Sequence, residues 1–148
     1  YHPDWAFHQY ADRNPIGVPL SESFRLVLSD GTSYSAQIFS LDTLISPTGQ
    51  WNTVIPLSHL LAASQLAPRD AELRDALLQR QYQRIGAKYH PEWAMHQAAI
   101  RWQVGAPLSN QERIELGAVD YVAQSYGRDV LYSPEGDWSI VKRLSELL

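Results

Sequence analysis

The segment YHPEWAMHQAAIRWQVGAPLS, residues 89–109, decides the fold because it repeats the opening YHPDWAFHQYADRNPIGVPLS, residues 1–21, with only local changes. The correspondence continues from YSAQ and YVAQ through SPTGQW and SPEGDW to LSHLL and LSELL. Self-similarity over such a length indicates an internal duplication. We therefore predict two tandem units, residues 1–61 and 89–148, which share one core because a unit of this size is marginal alone.

The composition is that of a globular protein without a basic surface. Of the 148 residues, 45% are hydrophobic and 19% are charged, and the net charge is −4. Nucleic acid and anionic membranes both require a basic patch, so neither is expected as a partner. No apolar run approaches the roughly 18 residues of a membrane span, so we predict no membrane insertion. The absence of cysteine excludes disulfides, thiolate metal sites and thiol nucleophiles.

Local signals predict a helix and an antiparallel meander in each unit. A proline followed by an acidic residue starts the helices at Pro3 and Pro91, which should run to about Arg13 and Gln103. A Gly-x-Pro segment ends each helix, and alternating apolar residues then predict three or four strands. The predicted strands span residues 24–28, 33–39, 42–45 and 51–55 in the first unit and 112–116, 121–126, 129–132 and 138–141 in the second. The fold class is therefore α+β.

Residues 62–88 have no counterpart in the second unit. Pro68 suits the start of a helix, Leu73 and Leu77 lie at helical spacing, and Gly86 ends the segment. We therefore predict a connector helix, exposed on one side, that holds the two units at a fixed angle.

The order of these motifs resembles that of the LGFP repeats of bacterial cell-envelope proteins. Those repeats join a helix ending in Leu-Gly-x-Pro to an aromatic strand containing Gln and a Ser-Pro-x-Thr-Gly hairpin. The matching segments are 105–108, 124–126 and 131–136, with weaker matches at 17–20, 37–39 and 44–49. The resemblance implies a non-catalytic module outside the cell or in the envelope. Its implied partner is cell-wall glycan or another envelope protein.

The five histidines do not predict a metal site. In each unit two of them are six residues apart, which places them on different helix faces, whereas a helical metal pair needs a spacing of three or four. The two pairs are His2 with His8 and His90 with His96. His96 shares a stripe with Trp93 and is expected to be a core histidine with a satisfied ring. Neither a metal nor a cofactor is predicted.

Asp42 and Asp129 form the one carboxylate pair that two-fold packing of the units would bring together, as in dyads that share a proton. An enzyme with a site between the units is therefore the alternative function. The competing interpretation is structural, because an Asp just before a strand often caps a turn or pairs with an arginine, here Arg25 or Arg113. The serine of each Pro-Leu-Ser segment lacks the G-x-S-x-G elbow of a nucleophile and is expected at a turn or strand start.

Aromatic side chains offer the other candidate site, since a flat apolar ring with a polar handle can stack on a sugar. Rings present in both units, such as Trp5 and Trp93, are expected in the core. Tyr126, Tyr132 and the unduplicated Trp102 are the candidates for an exposed ligand-binding surface. The leading prediction is a binding or scaffolding module, and the third possibility is a structural repeat that spaces other domains or assembles with itself.

Overall fold

Four α-helices and two four-stranded antiparallel sheets form residues 3–148, the part of the chain that the computed structural model describes, with side chains from Trp5 onward. His2, a member of one predicted histidine pair, lies outside the described residues. In chain order the elements are α1 (Pro3–Arg13), β1 (Phe24–Val27), β2 (Ser33–Ile38), β3 (Thr43–Pro47), β4 (Ile55–Pro56), α2 (Leu57–Ala62), α3 (Pro68–Gln83), α4 (Ala94–Arg101), β5 (Glu112–Leu116), β6 (Val119–Ser125), β7 (Val130–Pro134), β8 (Lys142–Arg143) and a final 3₁₀ helix (Leu144–Leu147). The α+β class is confirmed.

Both sheets are meanders in which each strand pairs with the next along the chain, in the orders β1-β2-β3-β4 and β5-β6-β7-β8. Their central registers correspond: Tyr34 lies opposite Pro47, and Tyr121 lies opposite Pro134. The loop that follows each of these prolines contains a glycine at positive φ, as the Ser-Pro-x-Gly hairpin signature predicts.

The second predicted helix is shorter than expected. It begins at Ala94, and Trp93 precedes it in an extended conformation with φ −78° and ψ 130°. The backbone N–H of Trp93 donates instead to His90 O at 3.0 Å, which closes a turn where the helix was predicted to start. Trp93 is therefore held beside the helix and not on its buried stripe.

The positions that we predicted for the fourth strands were wrong. They are confined to Ile55–Pro56 and Lys142–Arg143. The predicted strand residues Trp51 and Trp138 lie in a second turn that follows each hairpin. In the second sheet this turn is closed by the N–H of Ile140, which donates to Asp137 O at 3.2 Å.

Helix α3 is part of the core as well as a connector, because it packs along β1. The buried residues at this contact are Leu26, Leu28, Tyr34, Leu73 and Leu77. At one end the Glu72 carboxylate accepts hydrogen bonds from the N–H and the hydroxyl of Ser29, both at 2.7 Å. At the other end the Arg80 guanidinium lies 4.2 Å from the centre of the Phe24 ring. These contacts fix the helix on the outer half of the first sheet.

A single hydrophobic cluster extends from the first sheet through α3 and α4 to the second sheet. Its members outside the α3–β1 contact include Ala36, Ile45, Leu57, Met95, Ala98, Tyr126 and Leu131. A smaller cluster of Phe7, Ile16, Phe39 and Leu44 packs α1 on the first sheet. The two sheets are thus joined by one core.

The two halves meet main chain to main chain at Ser40. The backbone N–H of Ala106 donates to Ser40 O at 3.2 Å. Gly105 and Gly127 lie against the same carbonyl, and a Cβ added at Gly127 would stand 1.7 Å from Ser40 O. Only residues without side chains allow the halves to approach this closely.

Candidate functional site

A groove of about 560 Å³ lies between the start of α4 and the second sheet. Trp93 and Met95 line one wall, Val122 on β6 lies at the sheet, and Trp138 follows the β7 hairpin. The indoles of Trp93 and Trp138 are 41% and 54% exposed, so two large flat rings border a concave surface. Amphipathic aromatic rings in this setting suit a ligand with a flat apolar face.

The ring of Trp93 is held in place by histidines. The His90 ring stacks on it with 3.8 Å between centroids and 16° between planes. The His96 ring lies 5.1 Å away at 48°. His90 therefore covers one face of the indole, while 41% of the surface of Trp93 remains exposed to a ligand. A restrained ring loses little conformational entropy on binding, which favours affinity.

A second pocket of about 340 Å³ shares Trp93 and Gln111 with the groove. It is lined by polar side chains that include Lys88, His96 and Asn110. The two spaces form one continuous surface around the Trp93 ring, apolar toward Trp138 and polar toward Lys88.

The polar pocket contains both donors and acceptors. The amide nitrogen of Asn110 donates to Ile85 O at 2.9 Å, and that of Gln111 makes a long contact of 3.7 Å with Met95 Sδ. Their carbonyl oxygens accept no hydrogen bond from the described residues, while the Lys88 ammonium is an exposed donor. The pocket can therefore accept hydrogen bonds from a ligand and donate hydrogen bonds to it.

His96 is the buried member of this pocket, with 2% of its surface exposed. Its Nδ1 accepts the backbone N–H of His90 at 2.9 Å. Burial, together with the charge of His90, lowers the pKa of His96 to about 4. The ring is therefore neutral at pH 7 and carries its proton on Nε2, which is a donor. The prediction of a core histidine is confirmed, and Nδ1 is satisfied, whereas Nε2–H has no hydrogen-bond partner among the described residues.

Tyr126 was predicted to lie on an exposed ligand-binding surface, but it is buried. It is 4% exposed, its hydroxyl donates to Gln124 Oε1 at 3.1 Å, and it lies 2.7 Å from the hydroxyl of Tyr82. Burial raises the pKa of both tyrosines. Tyr126 is therefore part of the internal hydrogen-bond network.

Trp102 and Tyr132 are half-buried and lie apart from the groove. The Trp102 ring is flanked by the guanidinium groups of Arg101 at 5.1 Å and Arg143 at 4.7 Å. Tyr132 meets the ring of Tyr121 edge to face at 5.8 Å. The structure does not bring the three predicted ligand-binding rings together.

The tryptophans present in both units were expected inside, and this expectation is wrong for three of them. Trp5 is 56% exposed, and Trp93 and Trp138 are the rings of the groove. The buried face of α4 is formed instead by Met95, His96, Ala98 and Ala99. The signals in the sequence that could have indicated exposure are the position of Trp93 just before the helix and the Ser-Pro-x-Gly turn just before Trp138.

Asp42 and Asp129 each bind a serine of their own half. Asp42 accepts the N–H of Ser58 at 3.1 Å and its hydroxyl at 2.6 Å. Asp129 accepts the N–H of Ser145 at 3.0 Å and also its hydroxyl. Both carboxylates also accept the N–H of the following residue. The turn-capping interpretation is confirmed, and these bonds occupy both oxygens of each carboxylate.

The cavity between the halves, where an enzyme site was the alternative, is small. It measures about 140 Å³ and is lined by Asp42, Gln81, Tyr82 and Arg128. Ligand pockets usually span roughly 300–1,000 Å³. The groove beside Trp93 is therefore the better candidate for a binding site.

Comparisons with known proteins return no match: no family model, no curated protein and no solved structure is similar to this chain. Within residues 3–148, no group of three or more His, Asp or Glu is placed to hold a metal ion. In the same part of the chain no helix has the length and apolar character needed to cross a bilayer. The function is accordingly inferred from the chain's own surface.

Proposed function

We propose that this chain is a non-catalytic binding module of an exported bacterial cell-envelope protein, related to LGFP repeats, and that it binds cell-wall glycan in the groove between Trp93 and Trp138. Its place is outside the cell or in the envelope. The observation that carries the proposal is the pair of exposed indole rings beside a groove of about 560 Å³.

The chemistry of the surface fits a sugar better than a purely apolar ligand. The free face of Trp93 and the ring of Trp138 can stack on the apolar face of a pyranose. The donors and acceptors of the adjoining pocket, including His96 Nε2–H and the Asn110 carbonyl, match the hydroxyl and amide groups that a glycan carries at its rim. Neither the groove nor the adjoining pocket requires a charged ligand.

The same proposal holds that residues 1–61 and residues 89–148 are two copies of one repeat unit. It is supported by the shared strand order and register of the two sheets and by hydrogen bonds that recur at corresponding residues. Asp42 with Ser58 and Asp129 with Ser145 are one such pair. The motif residues common to both halves thus hold the fold, whereas binding falls to the groove of the second half.

The test is sedimentation with purified wall fractions and titration with soluble wall glycan fragments. Trp93→Ala and Trp138→Ala should each weaken binding about fivefold, since an aromatic contact contributes about 1 kcal/mol. Trp5→Ala is the matched control, because Trp5 is 56% exposed and precedes Trp93 by one repeat but lies outside the groove. It should bind as the unmodified chain does.

Two results would refute the proposal. One is an unmodified chain that stays in the supernatant with every wall fraction. The other is equal loss of binding in Trp5→Ala and Trp93→Ala, which would place binding elsewhere. Circular dichroism of each variant establishes that the fold is retained.

A further inference from the structure

The second sheet has an uncovered apolar face. Ile114, Leu116 and Val119 are 39%, 63% and 45% exposed. Ile114 lies directly opposite Tyr121, and Leu116 lies opposite Val119, so their side chains project from the same face. Tyr132 extends the strip through its edge contact with Tyr121. We call these five residues the open strip.

The corresponding face of the first sheet is covered. Leu26 lies opposite Tyr34 as Ile114 lies opposite Tyr121, so Leu26 and Ile114 hold the same position in the two sheets. Leu26 and Leu28 are only 8% and 5% exposed, because α3 lies over them. One molecule thus contains both a covered and an uncovered form of the same surface.

The covered form defines what the open strip can accept. Helix α3 contributes Leu73 and Leu77, one turn apart, to the apolar contact, and Arg80 stands over the ring of Phe24. At the position of Phe24 the second sheet has Glu112, since both lie opposite the alanine of their sheet's second strand. Glu112 forms no ion pair with any described residue and is exposed. A basic side chain at the Arg80 position would meet a carboxylate there.

We propose that the open strip docks an amphipathic helix of a partner protein, with leucines at positions i and i+4 and an arginine or lysine at i+7. The apolar pair covers Ile114 and Leu116 as α3 covers the first sheet, and the basic residue pairs with Glu112. A second copy of this chain does not supply such a helix, because its own Leu73 and Leu77 are buried at 3% and 0% exposure.

The test uses the absence of native cysteine, which makes one introduced thiol a specific probe. Leu116→Cys places it on the open strip, and Val27→Cys places a matched thiol at a 61% exposed site on β1. Each variant is prepared as the unmodified length and with a copy of residues 62–88 appended after Leu148. That copy supplies a helix with the proposed pattern at high effective concentration.

The appended helix should slow labelling of the Leu116→Cys thiol by about tenfold or more and leave the Val27→Cys thiol unchanged. Carrying Leu73→Gln and Leu77→Gln in the appended copy alone should restore the original rate. Reversing the charge with Glu112→Lys should also weaken the protection.

Three outcomes would overturn the proposal. The labelling rate could be the same with and without the appended helix, or protection could persist when the appended leucines are replaced. In the third, the Leu116→Cys thiol of the original chain becomes protected as protein concentration rises, which would assign the strip to a second copy of the chain.

Discussion

Tyr82 and Tyr126 are joined by a buried hydrogen bond whose direction follows from their neighbours. The Tyr126 hydroxyl donates to Gln124 Oε1 at 3.1 Å, so the Tyr82 hydroxyl is the donor in the 2.7 Å contact between the two tyrosines. Because burial raises the pKa of both, the pair stays neutral at physiological pH. Tyr82 and Tyr126 therefore contribute differently to stability, although their side chains are chemically identical.

Replacing these hydroxyls should destabilise the protein unequally. Tyr82→Phe removes a donor and should lower the free energy of unfolding by about 1 kcal/mol, whereas Tyr126→Phe strands both a donor and an acceptor and should cost about 2 kcal/mol. Urea denaturation measures both, with Tyr132→Phe as a half-buried control that should be neutral. Equal losses in the two variants would show that the assigned direction is wrong.

Individual residues also show what could not be predicted from the sequence. The burial of His96 followed from its helical stripe, and the capping role of Asp42 followed from its place before a strand. The partner of a buried amide did not follow: Gln37 Oε1 is buried without a hydrogen-bond partner among the described residues, because Phe39 stands where Tyr126 stands in the second half. The Gln37 and Gln124 amides differ because Phe39 lacks the hydroxyl oxygen that Tyr126 has. Composition does not indicate this difference.

At the scale of elements, Asp129 ties the start of β7 to the final 3₁₀ helix. Burial opposes its charged form, but hydrogen bonds from Ser145 and Val130 outweigh burial and hold the pKa of the carboxyl below its usual value. A depressed pKa in the folded state means that the ionised carboxylate stabilises the fold above the unfolded pKa of about 3.9. This stabilisation is lost as pH falls through the folded-state pKa.

Asp129→Asn should therefore lower the free energy of unfolding by about 1 kcal/mol at pH 7, because the amide nitrogen of Asn cannot accept the hydrogen bond that the Ser145 hydroxyl donates to the carboxylate. The difference from the unmodified chain should begin to shrink as the pH falls below about 4 and should disappear only below the folded-state pKa, where both side chains are uncharged. Denaturation at a series of pH values tests this, with Asp12→Asn, exposed on α1, as the control. A difference that is constant down to pH 2 would contradict the assignment.

Local start signals located some elements well, but the proline signal that holds at Pro3 fails at Pro91, since α4 begins at Ala94. Proline at N1 fixed the start of α1, and alternation fixed β5. The predicted positions of the fourth strands were wrong because a turn rich in backbone hydrogen bonds can have the same alternating sequence pattern as a strand. In both sheets the Ser of Ser-Pro-x-Gly also bonds across this turn, from Ser46 to Gln50 O and from Ser133 to Asp137 O. Such bonds depend on geometry that periodicity does not report.

At the scale of the molecule, the arrangement of the two halves depends on contacts around Ser40. A Cβ at Gly127 would lie 1.7 Å from the oxygen and 2.6 Å from the carbon of the Ser40 carbonyl. Both atoms belong to the main chain and cannot rotate away. The shared core could be predicted because each unit is too small to stand alone, but this junction could not, since the sequence does not show which glycines face another backbone.

Gly127→Ala should accordingly lower the free energy of unfolding by about 3 kcal/mol or more, since a backbone must move. Gly49→Asn is the control: Gly49 has φ 85° and open space around its Cβ position, and Asn tolerates this conformation. Its effect should remain below about 1 kcal/mol. If Gly127→Ala unfolded at the same urea concentration as the unmodified chain, the described contact between the halves would be wrong.

The junction at Ser40 also affects how this protein can evolve. Gly105 and Gly127 meet it without side chains, so the relative position of the two sheets depends on these two residues remaining glycine. Under the proposed glycan-binding function, substitutions around the indole rings would alter ligand preference while the frame that carries them is inherited unchanged. A lineage of such modules could acquire new specificities one surface residue at a time.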